Sequence, residues 1–259
     1  MTILFIVILG LFIGSFLGVV VDRFGADRSF VTGRSFCDQC RTTLGFLDLI
    51  PVLSFLFSKG RCRHCKTKLS LRYPMIECTT ALLFFATAWR YTQSMLLPIG
   101  FTSTHFGIFL FRDLLFVSLL IILFLIDARH GVLPDRFTLP GIVLLFGLNV
   151  WLGIPWQALL IGGLIVGGFF ALQFLVSKGT WVGDGDIRLG FLLGVTLGLA
   201  QGILALMLAY VIGAAYALIL LSKQKAGMKS TVSFGPFLAI GGWIVLIFGT
   251  YLSGKFFPF

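Results

Sequence analysis

Two carboxylates stand where a charge is hard to keep. Asp127 closes an apolar run in Leu125-Ile126-Asp127-Ala128-Arg129, and Asp186 opens another in Gly183-Asp184-Gly185-Asp186-Ile187. The chain of 259 residues has only ten acidic side chains. A carboxylate at the end of a lipid-embedded helix is therefore a functional candidate. Two aspartates folded side by side cannot both ionise easily, so one of them holds a proton. Such a pair supplies a general base for a water and a general acid for a scissile carbonyl, which is peptide hydrolysis without a covalent intermediate. Gly183 and Gly185 permit close backbone approach and unusual dihedrals, so an extended substrate could lie against them. The competing reading makes either aspartate a helix cap or a surface charge paired with Arg129 or Arg188. A cap at Asp186 is compatible with catalysis. Asp135, after Pro134, reads as a turn or cap, and Asp184 as a neighbour of Asp186. Glu77 either pairs with Arg72 or belongs to a site facing the preceding loop.

The second chemical signal is a set of thiols. Cys37-Asp38-Gln39-Cys40 and Cys62-Arg63-His64-Cys65 are two C-x-x-C pairs. Two such knuckles present four thiolates at the spacing a tetrahedral zinc ion takes, and four sulfurs leave no open position for catalysis. The expected ion is therefore structural Zn2+. Two disulfides are the alternative, and a reducing cytoplasmic side argues against them. Cys78 reads as a small core residue.

The elements that must position these groups follow from composition. The chain is 58% hydrophobic and 12% charged, with mean hydropathy +1.03. Soluble domains carry about 25% charged residues, so most of this surface faces lipid. The expected fold class is an all-α polytopic membrane protein, with about eight transmembrane helices and a cytoplasmic zinc-ribbon-like loop after the first. The apolar runs are 2–21, 74–89, 106–126, 138–152, 156–176, 187–200, 203–221 and 235–252, with Gln201-Gly202 dividing the sixth from the seventh. Asp22-Arg23 follows the first run with no small-residue cleavage pattern, so that helix is read as retained. The net charge of +10 sorts by side, which argues for topology and not for nucleic acid. With loop 22–73 and the segments around Arg129, Arg188 and Lys225 inside, only Arg90, Arg112 and Lys255 of the 20 basic residues fall outside. Both termini then lie outside, and Asp127 and Asp186 share the inner boundary.

With these residues in view, the chain resembles the type IV prepilin peptidases, bifunctional leader peptidases and N-methyltransferases of bacterial pilus and type II secretion systems. The resemblance rests on Gly14-Ser15-Phe16-Leu17 with Arg23, both cysteine pairs, Asp48-Leu49-Ile50-Pro51, Ser70-Leu71-Arg72-Tyr73-Pro74 and Glu77. It continues through Asp127 and Pro134, Leu139-Pro140, Gly183-Asp184-Gly185-Asp186 and Phe234-Gly235-Pro236-Phe237. It implies that Asp127 and Asp186 are the catalytic pair, that prepilins or pseudopilins lose a short basic leader at the cytoplasmic face, and that the new N-terminal amine is methylated from S-adenosylmethionine. It also implies a bacterial inner-membrane location and two domains. Residues 1–105 carry the cysteine loop and the methyltransferase-associated region with Glu77, and residues 106–259 form the protease. Gly18 and Arg188 depart from the family pattern, where asparagine and lysine are usual. The alternatives are a protease without methylation and a proton-coupled transporter using its aspartates as relays.

Overall fold

The computed structural model describes residues 2–24, 33–37, 39–93, 96–98, 101–223 and 232–256. The basic residues Arg28, Lys225 and Lys229, used in the charge sorting, and Asp38 of the first knuckle lie outside them. The chain divides into two compact units, Met1–Trp89 and Arg90–Phe259.

In the first unit, α1 (Thr2–Phe24) and α3 (Arg72–Arg90, whose last residue belongs to the second unit) flank the loop, which carries one short helix, α2 (Leu53–Phe57). The two long helices pack through small residues. A Cβ added at Gly10 would lie 2.7 Å from the Ala81 Cα, and one at Gly14 would lie 2.8 Å from the Glu77 Cα. Glycines four apart give the backbone-to-backbone approach that lipid-embedded helices use in place of a hydrophobic drive. Gly18, one step further, has ordinary space around it, with Tyr73 at 3.6 Å.

The second unit holds α4 (Phe106–His130), α5 (Asp135–Trp151), α6 (Trp156–Ser177), α7 (Asp184–Leu197), α8 (Leu199–Ser222) and α9 (Gly235–Phe256). Its axis is α7. This helix packs on α5, α6, α8 and α9, and its Leu189, Leu192, Leu193 and Val195 are fully buried. Glycine makes that density possible: a Cβ at Gly190 would lie 2.7 Å from the Phe170 ring, and one at Gly242 would lie 2.6 Å from Leu193.

A long helix occurs at each of the eight expected positions. Five are long and apolar enough to cross a membrane: Ile3–Phe24, Ser103–His130, Trp156–Ser177, Leu199–Ser222 and Gly235–Lys255. The chain is thus a multi-pass helical membrane protein. Helix α7 has 14 residues, about 21 Å, against a hydrocarbon core of about 30 Å. It is a sheltered central helix, and this is why its hydropathy alone reads as weak. The break after it also differs from expectation. It falls at Gly198, whose φ of 80° stops α7, and not at Gln201-Gly202. Gly202 instead lies within α8, where a Cβ would press on Val166 at 2.9 Å.

Candidate functional site

Helix α4 ends on Gly131 in the left-handed region, φ 66°, whose N–H caps the Asp127 carbonyl at 2.8 Å. Only a residue without a Cβ adopts this conformation at little cost. The chain then turns through Leu133 into α5, and Leu133 is the hinge of the local geometry. A Cβ at Gly185 would lie 2.7 Å from the Leu133 Cβ. A Cβ at Gly235 would lie 3.3 Å from Leu133 Cδ1 and would collide with the Asp127 carboxylate. The end of α4 and the starts of α7 and α9 therefore meet in one place.

That meeting brings Asp127 and Asp186 within each other's electrostatic reach. Both are nearly buried, at 5% and 7% exposure, and neutral donors hold both. Asp127 Oδ2 accepts from the Ser233 hydroxyl, and the Gly235 backbone N–H also donates to its carboxylate. Asp186 Oδ2 accepts from the Gly183 N–H at 3.3 Å, so Asp186 also serves as a cap in the first turn of α7. The competing reading that paired Asp186 with Arg188 does not hold. Arg188 binds Asp135 and, 3.0 Å away, Asp184. Being one turn from Asp184 on α7, it faces the α5 start and not the carboxylate pair. Tyr210, its ring 4.8 Å from that of Phe234, lies within the field of Asp186.

Of the two glycines singled out in the sequence, Gly185 acts through close approach. Gly183 has φ −77°, ordinary extended backbone, so unusual dihedrals are not its contribution. Sequence reasoning did not place Ser233 and Gly235 at the carboxylates. The signal was the Phe234-Gly235-Pro236-Phe237 motif, whose glycine turns out to be the spacer against Asp127.

The thiols form a second centre, in the first unit. Each knuckle has the same backbone plan. Cys37 N–H donates to Thr42 O at 3.0 Å and Arg41 N–H returns to Cys37 O at 2.9 Å; Cys62 and Thr67, and Lys66 and Cys62, repeat this at 2.9 and 3.0 Å. Arg41 and Lys66 take positive φ at matching positions, 57° and 59°, and the antiparallel bridges Phe36–Thr43 and Arg61–Lys68 close the two loops. The four sulfurs lie within 4.8 Å of one another, with Cys37 and Cys65 Sγ 3.8 Å apart. Zn–S bonds of about 2.3 Å in a tetrahedron require sulfurs about 3.8 Å apart, so this donor set fits zinc. The thiols are unbonded to one another, so disulfides are absent among them. Hydrogen bonds from Thr42 pull the Cys40 thiol down to about 6, and backbone N–H groups of Cys65 and His64 lower that of Cys62, both toward the thiolate a metal binds.

Glu77 is tied to this loop. It accepts from Val52 N–H at 2.7 Å and from Ser15, the second of the two arrangements the sequence allows, while Arg72 pairs with Asp22 at 2.9 Å. Tyr73 binds the other oxygen of Asp22 at 2.7 Å, so one aspartate of α1 holds both side chains at the start of α3. Between the knuckles, Asp48 binds Arg63 at 3.0 Å.

The molecule is thus of the class of polytopic membrane proteins that combine a four-thiol loop with a nearly buried aspartate pair at helix ends. The family model for bacterial peptidase A24 N-terminal domains matches residues 8–91, and that for the type IV leader peptidase family matches residues 114–218. The chain is 33% identical to a prepilin leader peptidase/N-methyltransferase of Pseudomonas putida, over 93% of this chain and 89% of that protein. It is 32% identical to the protein of that name from Bacillus subtilis, over 93% and 92%, and 31% identical to that of Neisseria gonorrhoeae, over 92% and 87%. No solved structure gives a significant match. The chain belongs to the prepilin leader peptidase/N-methyltransferase family.

Proposed function

We propose that this protein is an aspartic endopeptidase that removes the short basic leader from prepilins or pseudopilins and methylates the amine so exposed. The observation that carries the first half is the meeting of Asp127 and Asp186 at the ends of two helices, held by neutral donors with no cation bound between them among the described residues. One carboxylate takes a proton from water as the hydroxide attacks the scissile carbonyl carbon. Its protonated partner delivers a proton as the C–N bond breaks, and the two exchange roles for the next turnover. Gly235 and Gly185 keep side chains away from this space, and Ser233 orients the Asp127 carboxylate. A transporter would not need two carboxylates joined at one membrane boundary, and the names of the relatives pair both activities.

The location follows the charge sorting. The eight long helices lie in the bacterial inner membrane, with α7, about 21 Å long, sheltered by its neighbours where it falls short of the hydrocarbon thickness. The thiol loop and the aspartates lie on the cytoplasmic side, where a basic leader also resides. A prepilin arriving as a lipid-embedded helix unwinds at that boundary to expose its scissile bond. Residues 106–259 form the protease and residues 1–105 the methyltransferase-associated region. Cys37, Cys40, Cys62 and Cys65 hold Zn2+, which crosslinks the two knuckles and leaves no open coordination position. S-adenosylmethionine supplies the electrophilic methyl group. Glu77, with its carboxylate engaged by Val52 and Ser15, positions the loop against α1 and α3 for that reaction.

The test is cleavage of a purified prepilin by detergent-solubilised protein. Asp127→Asn and Asp186→Asn are each expected to lose activity by about 10²–10⁴-fold while melting as the parent does. Undiminished cleavage by either variant would remove the pair from the reaction. Mass analysis of the product for the added methyl group tests the second activity separately, and Glu77→Gln is expected to reduce it before cleavage suffers.

A further inference from the structure

A second buried charge cluster lies at the other end of α4. Asp113, fully buried, accepts Arg90 Nη1 at 3.0 Å and the Tyr91 hydroxyl at 2.7 Å on Oδ2, and Arg112 Nε at 2.8 Å and Nη2 at 2.5 Å on Oδ1. Four donors saturate this carboxylate. It neutralises one guanidinium of two, and the side chains of Arg90 and Arg112 are only 3% and 6% exposed. One positive charge is left over in a nearly dry place, which is expensive unless something anionic completes it. Arg90 and Arg112 are also two of the three basic residues that the charge sorting leaves on the minority side, so topology does not account for them.

Both arginines line a cavity of about 350 Å³, at the small end of the range that holds ligands. No acidic side chain lines it among the described residues; Asp113 stands behind the arginines. Gln201, 6% exposed, lines it too, and its carboxamide bonds to none of the described residues. Gly198 and Pro155, the residues preceding α8 and α6, form another wall, and neither helix start has a side-chain cap. Arg90 Nε also donates to the Leu96 carbonyl at 2.7 Å and Arg112 Nη1 to Asn149 Oδ1 at 2.9 Å. The guanidinium N–H groups left over, the unpartnered amide and the two uncapped helix starts offer donors, and donors of this kind take phosphate oxygens. Leu152, Ile154 and Leu246 supply an apolar border.

We propose that this cavity binds a phosphate group, carried on a phospholipid headgroup of the leaflet opposite the aspartate pair or taken free from solution. The apolar border and the place between membrane helices favour the lipid. Asp113 and Asp127 are about 21 Å apart along α4 at 1.5 Å per residue, so this site is separate from the carboxylate pair.

The experiment uses the full chain, delipidated in a neutral detergent. Binding is read by native mass spectrometry and by the melting midpoint. Phosphatidylglycerol, a diacylglycerol with the same tails, and inorganic phosphate are added in separate arms. The lipid source predicts one phosphatidylglycerol per chain, a raised midpoint, and no effect of diacylglycerol. A midpoint raised by inorganic phosphate, with loss of that effect in the variants, assigns the site to free phosphate. Arg112→Gln and Gln201→Leu are each expected to weaken binding at least about tenfold, the loss of one charge-assisted or desolvated contact. Gln201→Leu leaves the Arg–Asp cluster intact, so it decides the matter if Arg112→Gln does not fold. Equal binding of diacylglycerol, no binding in any arm, or phosphate binding undiminished in Gln201→Leu overturns the proposal. The readout is independent of peptide cleavage.

Discussion

The two ends of α4 carry buried carboxylates with opposite surroundings. At one end Asp113 is enclosed by Arg90, Arg112 and Tyr91 and has no acceptor capacity left. At the other, Asp127 and Asp186 lie within each other's electrostatic reach, and among the described residues their carboxylates accept only from a hydroxyl and backbone N–H groups. The nearby cation, Arg188, is occupied by Asp135 and Asp184. A charge inside a membrane bundle therefore does not announce chemistry by its depth alone. What matters is whether a counter-ion consumes it, because a carboxylate locked to two guanidiniums can neither accept nor deliver a proton at useful cost. Asp135 and Asp184 contribute by keeping Arg188 away.

The sharpest way to break this contrast is to remove the carboxylate at each end. Against the loss of turnover expected at Asp127 or Asp186, Asp113→Asn is expected to destabilise the second unit by about 3–5 kcal/mol, as two buried guanidiniums lose their partner. Thermal or denaturant unfolding in micelles reads this, while the fraction that stays folded retains its turnover. Equal stability of Asp113→Asn and the parent would mean that the cluster is solvated. Gly235→Ala drives a methyl group into the Asp127 carboxylate. A displacement of about 1 Å at a reacting group costs about 10²-fold in rate, so turnover should fall by that order with little change in melting. Ser233→Ala removes one donor to Asp127 and leaves the Gly235 N–H; a loss of about tenfold is expected, since one hydrogen bond to a charged group is worth about 1.5–3 kcal/mol at most. The smallest effect belongs to Arg188→Gln. Its ion pairs are partly exposed, so stability should change by less than about 1 kcal/mol, and its turnover shows whether diverting this cation matters to the pair.

Much of the site was legible in the amino acids because its signals are local. Asp127 and Asp186 each stand at the end of an apolar run, and each C-x-x-C pair sits in a short loop closed by its own backbone hydrogen bonds. The five helices long and apolar enough to cross a membrane were likewise readable from continuous hydropathy. The break after α7 and the backbone of Gly183 were misread, and Cys78, read as a core residue, is exposed; the remaining surprises concern partners. For Glu77 the sequence left Arg72 and the loop both open, and the loop supplies its partner through the Val52 N–H while Arg72 binds Asp22. Arg188, the partner that the competing reading offered Asp186, binds Asp184 and reaches across to Asp135 of α5. Asp113 drew no attention at all, since an Arg-Asp dipeptide within an apolar run has no spacing that marks it.

What the amino acids determined by themselves is the membrane character, the two cysteine knuckles and the place of Asp127 and Asp186 at the ends of apolar runs. What only the tertiary structure decided is which charge meets which, and so which carboxylates stay free to react. The reason is physical: hydropathy and loop geometry are summed over neighbours in sequence, whereas a counter-ion is chosen by packing between helices distant in the chain. Ser233 and Gly235 meet Asp127 where the bare Cα of Gly235 leaves room for the carboxylate.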